Sequence, residues 1–170
     1  MDVGLLILRL LIGALLAGHA FQKLTGSFGG AGLARTGALF ESWGHRPGAV
    51  MAAVAGVSEA GGAALLILGL ATPLAAAAVV GTMTVAALAL SDKGLWATQG
   101  GMEVPLLYGI AAAVLGFTGP GAHSLDAALG FTRFSGGSWG ALSLAVGLAA
   151  GLAVSGRAHR LRHAHSPSQN

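Results

Sequence analysis

Five long apolar runs with almost no charge inside them leave this chain one solvent to fold in, the hydrocarbon of a lipid bilayer. The runs cover residues 3–21, 48–70, 73–90, 104–118 and 139–155. The first three are long enough to cross a hydrocarbon core about 30 Å thick, and the last two are marginal. Charged residues make up 9% of the 170, against roughly 25% in a soluble domain. So few charges cannot cover a water-facing surface, whereas lipid-facing helices need none. Periodicity adds little, because helices in such a bundle are apolar on nearly every face. The predicted fold is therefore all-α, an integral membrane helical bundle embedded in the lipid bilayer.

The first run does not read as a cleaved leader. Gly18-His19-Ala20 offers small residues for cleavage, but Asp2 stands where a basic residue belongs and Arg9 interrupts the apolar stretch. It is predicted to stay as a helix. Many of the 29 glycines fall inside apolar runs, where small residues let helices approach closely in a membrane. On the second run Ala52, Gly56, Ala60 and Ala64 predict one such packing face. The chain has no cysteine, which removes disulfides, thiol relays and iron–sulfur clusters. Its net charge of +3 is spread over connections and tail, a pattern that speaks against nucleic acid.

The connections are read from their Gly, Pro and polar content. Residues 26–37 read as a Gly-rich loop holding Arg35, Ala71-Thr72-Pro73 as a tight turn, and Gly119-Pro120-Gly121 as the end of the fourth run. Trp43, Trp96 and Trp139 flank spans, as interfacial aromatics do, and residues 166–170 read as disordered. With five spans, one side holds Lys23, Arg35, Arg46, Lys93, Arg157, Arg160 and Arg162, and the other holds Arg133 alone. The positive-inside rule then predicts a multi-pass protein with its N-terminus outside and its C-terminus cytoplasmic. Without a fifth span the tally would be four against four, so five spans are favoured.

Ionisable groups inside the hydrocarbon are costly and each one asks for a partner. Counted from the ends at Phe21 and Gly48, Arg9 and Glu59 both come out about 17 Å deep, which predicts an Arg9–Glu59 ion pair. Such a pair is either a strut that fixes helix register or an anchor for a ligand head group; the third possibility is Arg9 snorkelling outward. His19, Gln22 and Lys23 close the first span while Glu103 opens the fourth at similar depth. Arg9, His19 and Lys23 share one helix face, which is predicted to look into the bundle. His19 and Glu103 are candidate acid/base groups of a proton-exchanging quinone-type site, the plainer reading being capping and interfacial anchoring. Only His19 among the histidines lies in a span, so no axial pair for haem is predicted. Nor is a metal site predicted at the tail histidines His159, His163 and His165; residues 157–165 are predicted to lie on anionic lipid.

Gly18-His19-Ala20-Phe21-Gln22-Lys23-Leu24 resembles the H-G-x-Q-K-L signature that ends the first helix in the DoxX family of membrane proteins. Glu59-Ala60-Gly61-Gly62, followed by Leu68-Gly69-Leu70-Ala71-Thr72-Pro73, resembles its E-x-G-G…L-G-x-x-T segment. Gly100-Gly101-Met102-Glu103-Val104-Pro105-Leu106-Leu107 is similar to its G-G-x-E-x-P-L-L motif, and Gly119-Pro120-Gly121-Ala122-His123-Ser124-Leu125-Asp126 to its G-P-G-x-x-S-L-D close. The resemblance covers roughly residues 3–130 and implies a four-helix DoxX-like domain over 1–130. An additional transmembrane helix over 131–156 and a basic tail over 157–170 depart from that pattern. It further implies a bacterial plasma-membrane redox subunit with a quinone as cofactor, like the subunits of thiosulfate:quinone oxidoreductase. Other relatives resemble membrane partners of superoxide dismutase and a sulfurtransferase, so soluble redox enzymes and a second copy of the chain are the implied partners. On this reading His19, Glu59 and Glu103 are the catalytic candidates, and Arg9, Gln22, Lys23 and Tyr108 bind the cofactor. His123 and Asp126 complete the motif positions. A non-catalytic membrane anchor for soluble antioxidant enzymes is the competing function.

Overall fold

A computed structural model describes residues 1–164, and every regular element among them is helical. Five helices of 16 residues or more build the bundle: α1 (Asp2–Leu24), α3 (Gly48–Leu68), α4 (Thr72–Leu90), α5 (Glu103–Thr118) and α7 (Gly137–Ala164). Two shorter ones, α2 (Gly32–Ser42) and α6 (Leu125–Ala128), complete the set. The end where the chain begins is called proximal. It holds Asp2, the α3–α4 turn, the end of α5, α6 and the start of α7. The distal end holds Leu24, α2, the start of α3, the α4–α5 connection and the end of α7.

The surface is apolar as well as the core, unlike that of a protein in water. Val3, Ile7, Leu11 and Leu15 form an exposed stripe along α1, and Val50, Val54 and Val57 do the same on α3. Such apolar area exposed to water would mark an interaction surface; for helices in lipid it is the ordinary outer wall. The inside is built from small residues. Ala63, Ala75, Val79, Val80 and Ala112 pack with Leu16, Leu66, Met83 and Leu115. Four helices are long and apolar enough to cross a membrane: Asp2–Leu24, Gly48–Leu68, Thr72–Lys93 and Gly137–Arg162. The fourth apolar run forms the shorter α5, whose 16 residues reach only about 24 Å.

Three local expectations need correction. Residues 26–37 are not one loop, because α2 begins at Gly32. Thr36, Gly37 and Phe40 fall at helical spacing and bury against α3, and the Glu41 carboxylate accepts the Gly48 N–H at 3.1 Å. The packing face of α3 does not follow Ala52, Gly56, Ala60 and Ala64. A strict four-residue step drifts about 40° per turn off a helix of 3.6 residues per turn, so the buried face passes through Ala52, Gly56, Glu59, Ala63 and Leu66 while Ala64 turns outward. The last run is longer than its apolar core. It continues as helix past Ser155 through Arg157, Arg160 and Arg162 to Ala164, and α4 packs more broadly against α7 than against any other helix. The predicted disorder of residues 166–170 falls outside the described residues.

Candidate functional site

Each end of the bundle holds buried charge, and the two arrangements differ. At the proximal end Arg9 is completely buried, and its guanidinium donates to the backbone carbonyl of His123. Asp126, itself 3% exposed, belongs to the same end without forming an ion pair with Arg9, whose Nε and Nη1 find no hydrogen-bond partner. The Asp126 carboxylate accepts the Ala71 N–H at 2.8 Å, the Thr72 N–H at 3.0 Å and the Thr72 hydroxyl at 2.8 Å. Its own N–H donates to the Gly69 carbonyl at 2.9 Å. Asp126 therefore caps α4 from another segment of the chain, satisfying N–H groups that a helix start leaves open. Gly69 is left-handed (φ 61°), and a side chain there would overlap the Arg9 guanidinium. Two of the motifs, the turn at 68–73 and the segment 119–126, are thus the two halves of one clasp around Arg9.

The expected Arg9–Glu59 pair does not form. The depth count behind it started α1 and α3 at one level, and they are offset. Leu24 lies against Gly56, and Arg9 lies against Gly69. Glu59 is therefore level with the last turns of α1, and Arg9 is roughly 18 Å away toward the proximal end. The partner of Glu59 is Lys23, whose ammonium stands 2.6 Å from both carboxylate oxygens. The carboxylate side chain is 2% exposed and that of Lys23 25%.

Beside this pair opens a cavity of about 760 Å³ at the distal end. One wall is polar: His19, Gln22 and Lys23 from α1, with Ser58 and Glu59 from α3. The opposite wall is made of small apolar residues, among them Ala77, Ala78 and Gly81 of α4 and Ala150, Gly151 and Val154 of α7. Thr36 and Phe40 of α2 and Trp43 just after it close it below. Sequence reasoning missed the α2 contribution. The signal available was the Thr36, Gly37, Phe40 spacing, in a stretch whose glycines argue for a loop.

The remaining candidates separate. The Tyr108 ring meets the edge of His19 with centroids 5.5 Å apart; it packs on the core and is not part of the cavity wall. The Gln22 amide lines the cavity but is engaged, donating to the Phe28 carbonyl at 3.3 Å. Glu103 stands outside the wall. Its carboxylate accepts the Ala97 N–H at 2.9 Å and its N–H donates to the Leu95 carbonyl at 2.8 Å, so it pins the α4–α5 connection. His123 contributes its backbone carbonyl to the clasp. The geometry thus brings His19, Gln22, Lys23 and Glu59 together and leaves Arg9, Glu103, His123 and Asp126 elsewhere.

Among known proteins, the DoxX family model matches residues 4–92, just over half of the chain. That stretch holds α1 to α4, with Arg9, His19, Gln22, Lys23 and Glu59. No curated protein and no solved structure matches.

Proposed function

The chain belongs to the DoxX family of membrane proteins, and on that premise we propose that it is a quinone-interacting redox subunit. The observation that carries this reading is the Lys23–Glu59 pair set into the wall of a large apolar cavity. Ligand sites are typically apolar pockets of about 300–1,000 Å³ with a few placed polar groups. A quinone fits that description: its ring and tail match the walls of α4 and α7, and its carbonyl oxygens need donors. Lys23 supplies ammonium N–H groups, and His19 an imidazole on the same wall. When bound, a quinone supplies an acceptor for two electrons and two protons.

The residues divide that work. Lys23 orients a carbonyl oxygen and favours negative charge developing on it. Glu59 holds the ammonium in place. His19, on the same wall, passes a proton to or from the bound oxygen through its imidazole. The chain has no cysteine, so the electrons come from a soluble partner enzyme, a superoxide dismutase or sulfurtransferase complex being the class the family resemblance suggests. The basic distal end faces the cytoplasm on this reading.

A second reading has its own observation. The last turns of α7 carry Arg157 and Arg160 beyond the apolar span, exposed on a helix that is braced where Arg157 donates to the Arg46 carbonyl at 3.1 Å. A non-catalytic anchor for soluble antioxidant enzymes would dock them on such an exposed basic turn.

One titration decides. Ubiquinone and menaquinone analogues are titrated into the protein in lipid nanodiscs, for the wild type and for Glu59→Gln. Saturable binding that weakens by roughly tenfold in the variant, about 1.4 kcal/mol, supports the quinone site. No binding to either protein ends it and leaves the anchor.

A further inference from the structure

The first helix stops short of the distal end. Leu24, its last residue, packs over Gly56, eight residues past the Gly48 that opens α3. About 12 Å of α3 therefore continues beyond the end of α1, and the chain is not α-helical again until Gly32. Residues 25–31 are thus largely irregular backbone at the depth of a membrane-spanning helix. Such backbone is tolerated at that depth only where protein buries it or where it lines a cavity. Here Gly29, Gly30 and Ala31 form part of the cavity wall.

This segment is exposed, yet many of its polar atoms are paired from within. The Gly26 N–H and the Thr25 hydroxyl both donate to the Phe21 carbonyl, at 3.1 and 2.9 Å. The Gly30 N–H reaches the Ser27 carbonyl at 3.0 Å, and the Thr25 and Ser27 hydroxyls meet at 2.7 Å. The Gln22 amide takes the Phe28 carbonyl. A loop in water can leave such groups to solvent; a loop in lipid has to pair them. At its tip Phe28 is 76% exposed in a left-handed conformation (φ 54°) that side chains other than glycine rarely adopt. The loop is seated tightly, since a side chain at Gly30 would come within 2.4 Å of the Gln22 backbone. Val54 of α3 and Leu39 of α2 also line the cavity while 54% and 47% exposed, so the cavity communicates with the outer surface at this level.

We infer that residues 25–31 frame a side entrance at membrane depth, and that the cavity takes an amphiphile dissolved in the bilayer, not a solute from water. The inference rests on the cavity being the binding site, and it deepens that reading by naming where the ligand comes from. Gln22 is then a positioning residue for the entrance loop.

The chain has no cysteine, so one introduced cysteine carries one nitroxide without further changes. Phe28→Cys and Val54→Cys are labelled in the full chain in liposomes. The references are Val57→Cys on the outer face of α3 and Asp92→Cys in the distal turn after α4. Collision rates with oxygen, which concentrates in lipid, and with a water-soluble nickel chelate are read by electron paramagnetic resonance. Both test labels are expected to match Val57→Cys, with an oxygen-to-chelate ratio several-fold above that of Asp92→Cys. Ratios like that of Asp92→Cys at both positions overturn the inference and make the opening aqueous. Two separate positions guard against one label disturbing the loop. The measurement needs no ligand, so a failed quinone titration beside lipid-like labels removes the quinone and leaves the entrance.

Discussion

The proximal and distal ends of this bundle each bury a carboxylate beside a cation, and only one of them leaves the carboxylate available. Asp126 accepts from Ala71 and twice from Thr72. Its lone pairs are used, and the polypeptide closes around it. Glu59 accepts from Lys23 with both oxygens, and the pair borders a cavity instead of a helix start. The difference teaches that residue type does not assign the role. A buried carboxylate fully met by donors at a helix start is a strut, whereas an ion pair with open space beside it is a site.

The largest effect that tests this contrast lies at the closed end. Asp126→Ala strands the Ala71 N–H, the Thr72 N–H and the Thr72 hydroxyl at the start of α4. A buried donor left unpaired costs about 1–3 kcal/mol, so the variant is expected to lose about 3–5 kcal/mol in reversible unfolding from mixed micelles. Unfolding at the wild-type denaturant midpoint would mean that the clasp carries no stability and that the two ends are not distinct in kind.

At the open end the expectation is a smaller change in stability with a complete change in binding. Replacing both members, Lys23→Met with Glu59→Met, removes the charges together and fills part of the space. Buried pairs exchanged for apolar residues of similar volume are often neutral or even stabilising. The double variant is expected to unfold within about 1 kcal/mol of wild type and to bind no quinone analogue. Lys23→Met alone should be the less stable of the two, because it strands the Glu59 carboxylate. A double variant as damaged as Asp126→Ala would make Lys23–Glu59 a second strut and sink the comparison.

The parts of this arrangement that were legible in the sequence are those that depend on composition along one segment. Five apolar runs, the buried charges Arg9 and Glu59, and the polar last turn with His19, Gln22 and Lys23 are local facts. Which charge meets which is a fact about offset between helices. That offset is set by the early stop of α1 after Leu24 and by α2 filling the space beneath, and α2 is only 11 residues long with glycines at 32 and 37. Without α2, Arg9 and Glu59 count to equal depth and pair on paper. Glu103 shows the same limit, since a carboxylate at a helix start reads equally as catalyst or cap until the Ala97 N–H is seen on it. The motif marks the position of Asp126 but not its role, because its tie to Thr72 spans 54 residues and nothing local to either segment announces it.

The smallest effect separates the two ends by pH. His45, in the α2–α3 corner outside the spans, is 4% exposed, and its ring packs 5.6 Å from that of Phe40. Burial first, then the charges of Arg162 and Arg157, hold its pKa below the usual 6.5. In the unfolded chain His45 takes a proton near 6.5, while the folded corner resists it. Below that pH the unfolded state binds the extra proton, so stability falls as pH falls toward the folded value; above about 6.5 both states are neutral and the contribution is flat. Thermal midpoints between pH 8 and 5 are expected to decline below 6.5 in the wild type and to decline less steeply in His45→Leu, whatever the absolute stability of that variant. Phe40 also lines the cavity, so protonation of His45 loosens the floor of the distal site without touching the clasp. An identical slope in His45→Leu would place the pH sensitivity outside this corner and leave the two ends alike in their response to acid.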